Sequence, residues 1–453
     1  MPRSCFEPYL SARRDRLILL APDDMHQHTD SYRVHPMRST SVRLGALPVT
    51  EPTSLSSFRE RVRRWLAEQA EPNGWTSHTA PQAPESDGDA LKRARACQRS
   101  LHDAGLTGIT WPADYGGQGL GVREQVVFDE EVADADLPLR PFAVGLGMCG
   151  PTLLTAGTEE QRRRYLHPLL RGDELWCQLF SEPGAGSDVA ALETRARPVE
   201  DGWLVTGQKV WTSGAHQADF GLLLARTDPD VPKHRGLTMF VLDMHAAGVT
   251  VRPLQDMTGA TEFSEVFLDD VHVPHHHLLG DVGDGWRTAL TTLMNERVSI
   301  GTRPSTAIPT AGELLEQARS HDIADSHSLH DALIDAYVRD RIVTLMGTRI
   351  REAIKQGQQP GPEGSVAKLA STELVTRCAR LQAEMSGPAA TAWEHDDPTG
   401  ANPSAPLLLA PAFSIAGGTD EVLRNIIGER VLGLPKEPQV DRDVPFSQLR
   451  HVD

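Results

Sequence analysis

The chain has 453 residues, 39% of them hydrophobic and 24% charged, and a formal net charge of −17. This length predicts about three domains, each able to bury a core. Such an acidic composition argues against a nucleic-acid-binding protein, although a local basic pocket stays compatible with it.

The five cysteines, the hydrophobic runs and the first residues bear on the cellular compartment. The cysteines are scattered and form no CxxC pair, which favours a reducing compartment and no zinc site. No apolar run approaches the roughly 20 residues of a membrane span. Residues 1–52, rich in Arg, His, Ser and Pro, are predicted to be a disordered or misannotated leader. We therefore predict a cytoplasmic protein without a membrane span.

The first predicted domain, residues 53–173, is helical. Ser57 and Glu60 fit a capping box ahead of an apolar face. Further helices are predicted over about 89–104, 121–136 and 158–171. Thr158 and Gln161 form a second capping box, and Gly172 ends that helix.

The pattern then changes to short strands and back to helices. Strand-like runs separated by turn residues occupy a middle domain, residues 174–278, typical of a small barrel or sandwich. Helices are predicted again over about 285–301, 307–321, 327–356, 363–395 and 419–432. They make residues 279–436 a helical bundle, followed by a tail, 437–453.

Two motifs of the middle domain have the composition of a cofactor site. SEPGAGSD, residues 181–188, is dense in small residues and can expose backbone amides to an anion or to the polar edge of a flat cofactor. Its alternative interpretation is an ordinary tight turn. In GQKVWTSGAHQAD, Trp211 lies beside Thr212 and Ser213 and suits the face and edge of an aromatic cofactor. The alternative is a core tryptophan.

Three further motifs lie in helical regions. WPADYGGQGL, residues 111–120, is a glycine-rich loop between helices. GDGWRTALTTLMNER places Glu296 on a helix, where it is either a base with a raised pKa or part of an exposed charged face. IAGGTDE, residues 415–421, joins a glycine pair to a helix start capped by Thr419 or Asp420, whose free amides favour a carbonyl or a flavin edge.

Two other features are interpreted as structural. The histidines of VHVPHHHLLG are adjacent, so they cannot easily face one metal ion, and a solvated loop is favoured. Lys368, in SVAKLAS, is also interpreted as structural.

In this order and spacing, these motifs resemble the acyl-CoA dehydrogenase family over about residues 55–436. The resemblance implies an α+β fold with an N-terminal helical domain, a middle β-barrel domain and a C-terminal four-helix bundle. It also implies FAD bound non-covalently, an acyl-CoA substrate and assembly as a homotetramer, a heterotetramer or a dimer. A carboxylate takes the α-proton, the β-hydrogen leaves as hydride to flavin N5, and an electron-transfer flavoprotein accepts the electrons.

The resemblance also assigns residues. The FAD-binding positions are Phe180, Ser181, Trp211, Ser213, Thr419 and Glu421. The substrate-binding positions are Gly186, Ser187, Arg297 and Gly417.

Three departures from the family pattern qualify this assignment. Many members carry the catalytic Glu where this chain has Gly417, whereas a minority place it on the first bundle helix, where Glu296 lies. Glu296 is therefore the predicted base. The family's Arg-x-x-Phe-Gly stretch is replaced by QARSHDIADSHSLHD, with Arg319 as its remnant, and the adenine-contacting stretch reads MSGPAATAWEHDD.

Three interpretations remain open at this level: an acyl-CoA dehydrogenase using Glu296, a non-catalytic or FAD-sharing subunit of a mixed tetramer, and a flavin monooxygenase or oxidase on the same fold. The acyl group, and whether it is carried by CoA or by a carrier protein, is not determined by the sequence.

Overall fold

The computed structural model describes residues 53–75, 87–133, 135, 137–301, 308–320, 327–356, 361–391, 404–438 and 441–449. The predicted leader and parts of the two altered family stretches lie outside these ranges. The described residues belong to one compact unit, 51–453.

The N-terminal part is helical. Its helices are α1 (Thr53–Trp65), α2 (Asp87–Asp103), α3 (Val122–Glu131), α4 (Gly150–Ala156) and α5 (Glu159–Arg171). Phe58, Val62 and Trp65 recur on one face of α1 and are buried against Cys97 and Leu101 of α2.

The two predicted capping boxes have different outcomes. The prediction at Ser57 is wrong because α1 already begins at Thr53, and the Ser57 hydroxyl donates to the Ser54 carbonyl at 2.9 Å inside the helix. The box at Thr158 is confirmed, since the Gln161 amide donates to Thr158 Oγ1 at 3.2 Å and the Thr158 amide donates to Gln161 Oε1 at 2.9 Å. Gly172 ends α5 with a φ of 77°.

The middle part is one eight-stranded sheet. Its strands are β1 (Trp176–Leu179), β2 (Arg195–Val199), β3 (Gly202–Ser213), β4 (Phe220–Arg226), β5 (Leu237–Asp243), β6 (Val249–Leu254), β7 (Phe263–Pro274) and β8 (Leu278–Leu279). Their order is β6-β7-β3-β2-β4-β5-β8, and β1 pairs in parallel with β4. Apolar side chains of β4 and β5 are buried on both faces, as expected for central strands covered on each side.

The C-terminal part is helical again, with α6 (Gly285–Gly301), α7 (Ala311–Ser320), α8 (His327–Lys355), α9 (Glu363–Ser386), α10 (Ala405–Ile415) and α11 (Asp420–Ile426). The helix predicted to reach 395 ends at Ser386, where Gly387 and Pro388 follow. The sequence prediction missed α10, whose prolines Pro406 and Pro411 are typical of loops.

Helix α6 joins the sheet to the bundle. Ala289 is fully buried in a cluster with Leu237 and Met239 of β5. Thr292 of α6 and Thr152 of α4 share a hydrogen bond of 2.9 Å between their buried hydroxyls. This packing fixes the helix that carries Glu296.

The order of helices, sheet and helices confirms the predicted α+β fold class. Within the described ranges, no helix combines the length and the apolar character that crossing a bilayer demands.

Candidate functional site

The ends of β1 and β3 meet at one place on the sheet. Phe180 is buried and Ser181 half-buried directly after β1. The Val210 amide donates to the Ser181 carbonyl at 2.9 Å. The structure therefore brings Phe180 and Ser181 next to Trp211 and Ser213.

Trp211 has an unusual backbone conformation. Its φ is 59°, a left-handed value that a non-glycine residue rarely adopts. The register of β3 against β7 shifts between Lys209 and Thr212, so Trp211 lies in a bulge. Trp211 is 58% exposed, and its ring meets that of Phe263 edge to face, with ring centroids 5.8 Å apart. A strained position that keeps a large ring exposed is typical of a ligand contact.

Two buried hydroxyls lie beside this bulge. Thr212 and Ser264 face each other across β3 and β7. Within the described residues, neither hydroxyl has a hydrogen-bond partner, although both side chains are almost fully buried. Buried polar groups are normally paired, so these hydroxyls are candidates for bonding a ligand. The exposed ring and the unpaired hydroxyls fit the face and the polar edge of a flavin.

A buried ion pair that the sequence analysis missed fastens the two strand ends together. The Lys209 ammonium donates to Glu182 Oε1 at 2.7 Å and to the Phe180 carbonyl at 3.1 Å, and the Lys209 side chain is fully buried. Glu182 also accepts the amides of Glu193 at 2.7 Å and Thr194 at 3.0 Å. The pair thus links β1, β3 and the segment before β2.

The pair shifts the ionisation of both partners. Burial lowers the pKa of Lys209 to about 8, although the attraction of Glu182 opposes this. Burial raises the pKa of Glu182, but the charge of Lys209 and the hydrogen bonds lower it by a larger amount. The pKa of Glu182 is therefore below its usual value. A lysine inside a strand motif and a glutamate inside a turn motif were the available signals, but the sequence motifs alone gave neither residue a role.

The loop that follows is anchored at its start and open at its middle. Glu182 and Ala185 exchange backbone hydrogen bonds of 3.0 and 3.1 Å. Gly186 and Ser187 are exposed, and a Cβ added at Gly186 would meet nothing within 4 Å. These two predicted substrate residues therefore line open space.

The glycine pair forms the turn between α10 and α11. Gly417 has a φ of 68° and Gly418 a φ of 93°. Thr419 caps α11, since its hydroxyl accepts the Val422 amide at 3.3 Å. Glu421 is exposed and lies 3.7 Å from Arg424.

Lys368 of α9, interpreted from sequence as structural, lies at this turn. Its ammonium donates to the Phe413 carbonyl at 2.8 Å and to the Gly418 carbonyl at 3.1 Å. It lies 3.7 Å from Asp420 Oδ1, and its side chain is only 7% exposed. Burial lowers the pKa of Lys368, while the charges of Asp420 and Glu296 oppose that shift.

Glu296 is half-buried on α6, and its charge acts on Lys368. The structure therefore brings the predicted base near the cation that holds the glycine turn. The backbone of Arg297 continues α6, and its side chain lies outside the described residues.

The remaining sequence candidates lie away from these groups. Arg319, the predicted remnant of the family's FAD-reaching stretch, pairs with Glu316 at 2.6 Å on the surface of α7. His275–His277 form a 3-10 turn. Across the residues that the structure describes, no group of three or more His, Cys, Asp or Glu side chains could hold a metal ion. Cys97, Cys149, Cys177 and Cys378 are free and buried.

Comparisons with known proteins identify the architecture. The sequence models of the acyl-CoA dehydrogenase N-terminal, middle and C-terminal domains match residues 53–173, 177–271 and 283–432. These three matches follow the same order as the helices, sheet and helices of the fold.

Curated relatives and solved structures agree with these domain matches. The chain is 35% identical to the acyl-CoA dehydrogenase IpdE1 of Mycolicibacterium smegmatis over 399 residues, which cover 84% of this chain and 98% of IpdE1. It is 42% identical to the acyl-CoA dehydrogenase FadE34 of Mycobacterium tuberculosis over 344 residues, 75% of this chain but 46% of FadE34, so it spans about half of that relative.

The solved structure of the Tcur3481-Tcur3483 steroid ACAD is similar with a TM-score of 0.70 and 28% identity, covering 86% of this chain and 100% of that one. The ChsE4-ChsE5 complex from Mycobacterium tuberculosis is similar with a TM-score of 0.67 and 27% identity, covering 86% and 100%. The chain therefore belongs to the acyl-CoA dehydrogenase family and is an oxidoreductase.

Proposed function

We propose that the protein is a FAD-dependent acyl-CoA dehydrogenase that uses Glu296 to remove the α-proton of the acyl thioester. One observation carries the proposal: α6, which carries Glu296, packs against α9, whose Lys368 holds the carbonyl of Gly418. A carboxylate and a bare glycine turn are the two groups that α-proton abstraction next to a carbonyl requires.

The glycine turn is proposed to receive the thioester carbonyl. Neither Gly417 nor Gly418 has a Cβ, so a substrate can approach the backbone amides closely. Hydrogen bonds from such amides strengthen as negative charge develops on the carbonyl oxygen, which lowers the barrier to proton removal. The side chain of Glu296 then holds the abstracted proton.

The surface around Trp211 is proposed to hold the flavin. The exposed Trp211 ring supplies a flat face, and Ser181, Thr212 and Ser213 supply polar groups at its edge. When bound, FAD supplies the hydride acceptor for the β-hydrogen of the substrate. Thr419 and Glu421, at the start of α11, are proposed as additional FAD contacts on the side of the bundle.

The electron acceptor and the assembly complete the proposed function. An electron-transfer flavoprotein is the proposed electron acceptor. The steroid ACAD and the ChsE4-ChsE5 complex each pair two named subunits, which supports a heteromeric assembly for this chain.

A second candidate function has its own observation. Gly417 stands where many family members carry the catalytic Glu, so this chain is alternatively a FAD-sharing subunit of a mixed tetramer. Under that alternative, the protein expressed alone lacks both flavin and activity.

An anaerobic screen of acyl-CoA esters tests the proposal. The purified protein, loaded with FAD, is mixed with straight-chain, branched-chain and steroid-side-chain acyl-CoA esters while the flavin absorbance is followed. We expect at least one ester to bleach the flavin. Stoichiometric flavin with no bleaching by any ester contradicts the proposed activity, and failure to retain FAD favours the subunit alternative.

A further inference from the structure

The C-terminal segment Asp441–Leu449, here called the strap, docks on the loop between β4 and β5. The Phe446 amide donates to the Val231 carbonyl at 2.9 Å, and the Ser447 amide donates to the Pro229 carbonyl at 2.8 Å. Pro445 forms a β-bridge with Pro232. The strap lies beyond residue 432, where the match to the family's C-terminal domain ends.

Phe446 is the apolar anchor of the strap. Its side chain is buried, and the guanidinium carbon of Arg226 lies 3.5 Å from the centre of its ring. Arg226 is itself fixed, because it donates to the carbonyls of Ala190 at 2.7 Å and Leu192 at 3.1 Å. Those two carbonyls lie directly after the SEPGAGSD loop, so the strap and the loop share one cation.

Lys233 makes a second link between the same two segments. Its ammonium donates to Asp188 Oδ2 at 2.7 Å and to Asp441 Oδ2 at 2.6 Å. The Lys233 side chain is 10% exposed, so these contacts are partly shielded from water. Burial lowers the pKa of Lys233, but the hydrogen bonds that its ammonium donates to both aspartates outweigh this, and the pKa is raised. The carboxylates therefore hold the lysine in its charged form.

The loop between these anchors is open at its two glycines, while Ala185 between them is buried. Lys209 fastens it at Glu182, and Lys233 fastens it at Asp188. Between them Gly184 and Gly186 have open space around the position of a Cβ. Each anchor therefore removes backbone freedom that the two glycines would otherwise keep.

We propose that the strap positions the SEPGAGSD loop and that Lys233 is the positioning residue that links the two. Docking of the strap places Phe446 against Arg226 and Asp441 against Lys233. Lys233 then holds the end of the loop at Asp188, and Arg226 holds the carbonyls of Ala190 and Leu192 that follow it. The functional part of this inference, that the ordered loop favours binding of the CoA thioester, rests on the proposed function.

Hydrogen exchange on the FAD-loaded full chain tests the coupling. The variants are Phe446→Ala, which loosens the strap without touching the loop, and Lys233→Met, which removes the ionic link. Ser447→Ala is the matched control on the same strap, because it removes only an exposed hydroxyl bond to Asp230. Lys233→Arg restores the charge and is expected to restore protection.

We expect exchange of amides 184–188 to rise about three- to fivefold in both loosened variants, as for the loss of a modest ionic anchor, and to stay unchanged in the control. Faster exchange confined to residues 441–449 in Phe446→Ala overturns the coupling.

Calorimetry with coenzyme A as the probe tests the functional part. We expect Phe446→Ala and Lys233→Met to weaken coenzyme A binding about threefold or more, with Ser447→Ala unchanged. Faster loop exchange with unaltered affinity overturns the role in binding. A wild-type holoenzyme that binds no coenzyme A counts against the proposed thioester substrate, whereas the exchange comparison still decides whether strap and loop are coupled.

Discussion

The Lys368 ammonium donates at 3.1 Å to the carbonyl of Gly418, the second residue of the glycine pair. The same ammonium holds Phe413 at the end of α10, so one buried cation spans the turn between α10 and α11. The charge of Glu296 acts on this cation as well. Turn, cation and proposed base are therefore one electrostatic unit, which can be tested one group at a time.

Replacing Lys368 by Met is expected to disturb this unit in two ways. The half-buried carbonyls of Phe413 and Gly418 lose their donor, which costs about 2 kcal/mol of unfolding free energy. The attraction between Lys368 and Glu296 is mutual, so its loss disfavours the charged carboxylate. The acidic limb of the pH–rate profile of flavin reduction then moves to higher pH.

Urea unfolding and rapid-mixing reduction measurements between pH 5 and 9 check both effects. Lys436→Met, which changes an exposed lysine beyond the bundle, is the control. An acidic limb at the wild-type position in Lys368→Met contradicts the electrostatic link.

The buried pair of Lys209 and Glu182 predicts an unusual pH dependence of stability. The pKa of Lys209 is lowered by burial from 10.5 to about 8 in the folded protein. Between these values the unfolded chain binds more protons than the folded one, so the contribution of Lys209 to stability is lowest below pH 8 and rises toward pH 10.5. Unfolding near pH 9 is therefore expected to take up about one proton at this lysine.

Unfolding free energies of wild type and Lys209→Met, measured from pH 7.5 to 10, give this proton uptake as a difference in slope. Lys209→Met alone leaves a buried carboxylate unpaired, which costs about 3–5 kcal/mol of unfolding free energy. The double variant Lys209→Met with Glu182→Gln removes both charges and so avoids this cost. Equal slopes in wild type and Lys209→Met show that the lysine does not titrate in this range.

Trp211 is expected to lower the stability of the apoprotein and to raise its affinity for FAD. Glycine adopts a φ of 59° without strain, and the Trp211 ring is largely exposed, so Trp211→Gly removes about 1 kcal/mol of strain at little packing cost. The apoprotein is then expected to be as stable as wild type or more so, while its FAD affinity falls at least about tenfold.

Fluorescence titration with FAD and thermal unfolding of the apoprotein measure the two quantities. Asp270→Gly is the matched control, because Asp270 is the other described non-glycine residue with a positive φ and lies on β7. If the Trp211→Gly protein binds FAD with the affinity of the wild type, Trp211 is not part of the FAD site.

Gly417 is expected to resist substitution for conformational reasons. At a φ of 68°, an alanine is strained and Gly417→Ala costs about 1 kcal/mol. Gly364→Ala is the opposite control: Gly364 lies in α9 with open space around a Cβ, so alanine stabilises the helix by up to about 1 kcal/mol. Chemical denaturation measures the unfolding free energy of both variants. Equal changes in unfolding free energy for the two substitutions argue against a strained turn.

Much of the fold follows from the sequence because local signals agree with the tertiary structure. Thr158, Gln161 and Gly172 mark the ends of α5 by short-range hydrogen bonds that do not depend on the rest of the chain. By contrast, α10 was missed because its prolines locally favour a loop. Its packing against α9, which the sequence does not show, determines that it is a helix.

The site residues also fall into those that local sequence motifs indicate and those that depend on distant contacts. Trp211 and the glycine turn carry local motifs, which made them site candidates from the sequence. Lys209, Lys368 and Lys233 hold the site through contacts with residues 27, 50 and 208 positions away in the chain. No spacing rule links such partners, so an isolated lysine in a motif gives no sign that it is buried and paired.

The central claim is tested most directly by Glu296→Gln. The FAD-loaded variant is mixed anaerobically with the acyl-CoA ester that reduces the wild-type flavin fastest, and the first-order rate constant of flavin bleaching is measured. Glu373→Gln, a change in an exposed ion pair with Arg424, is the control. We predict that Glu296→Gln retains FAD but bleaches about 10³-fold more slowly than wild type. A rate constant within about threefold of wild type contradicts Glu296 as the base.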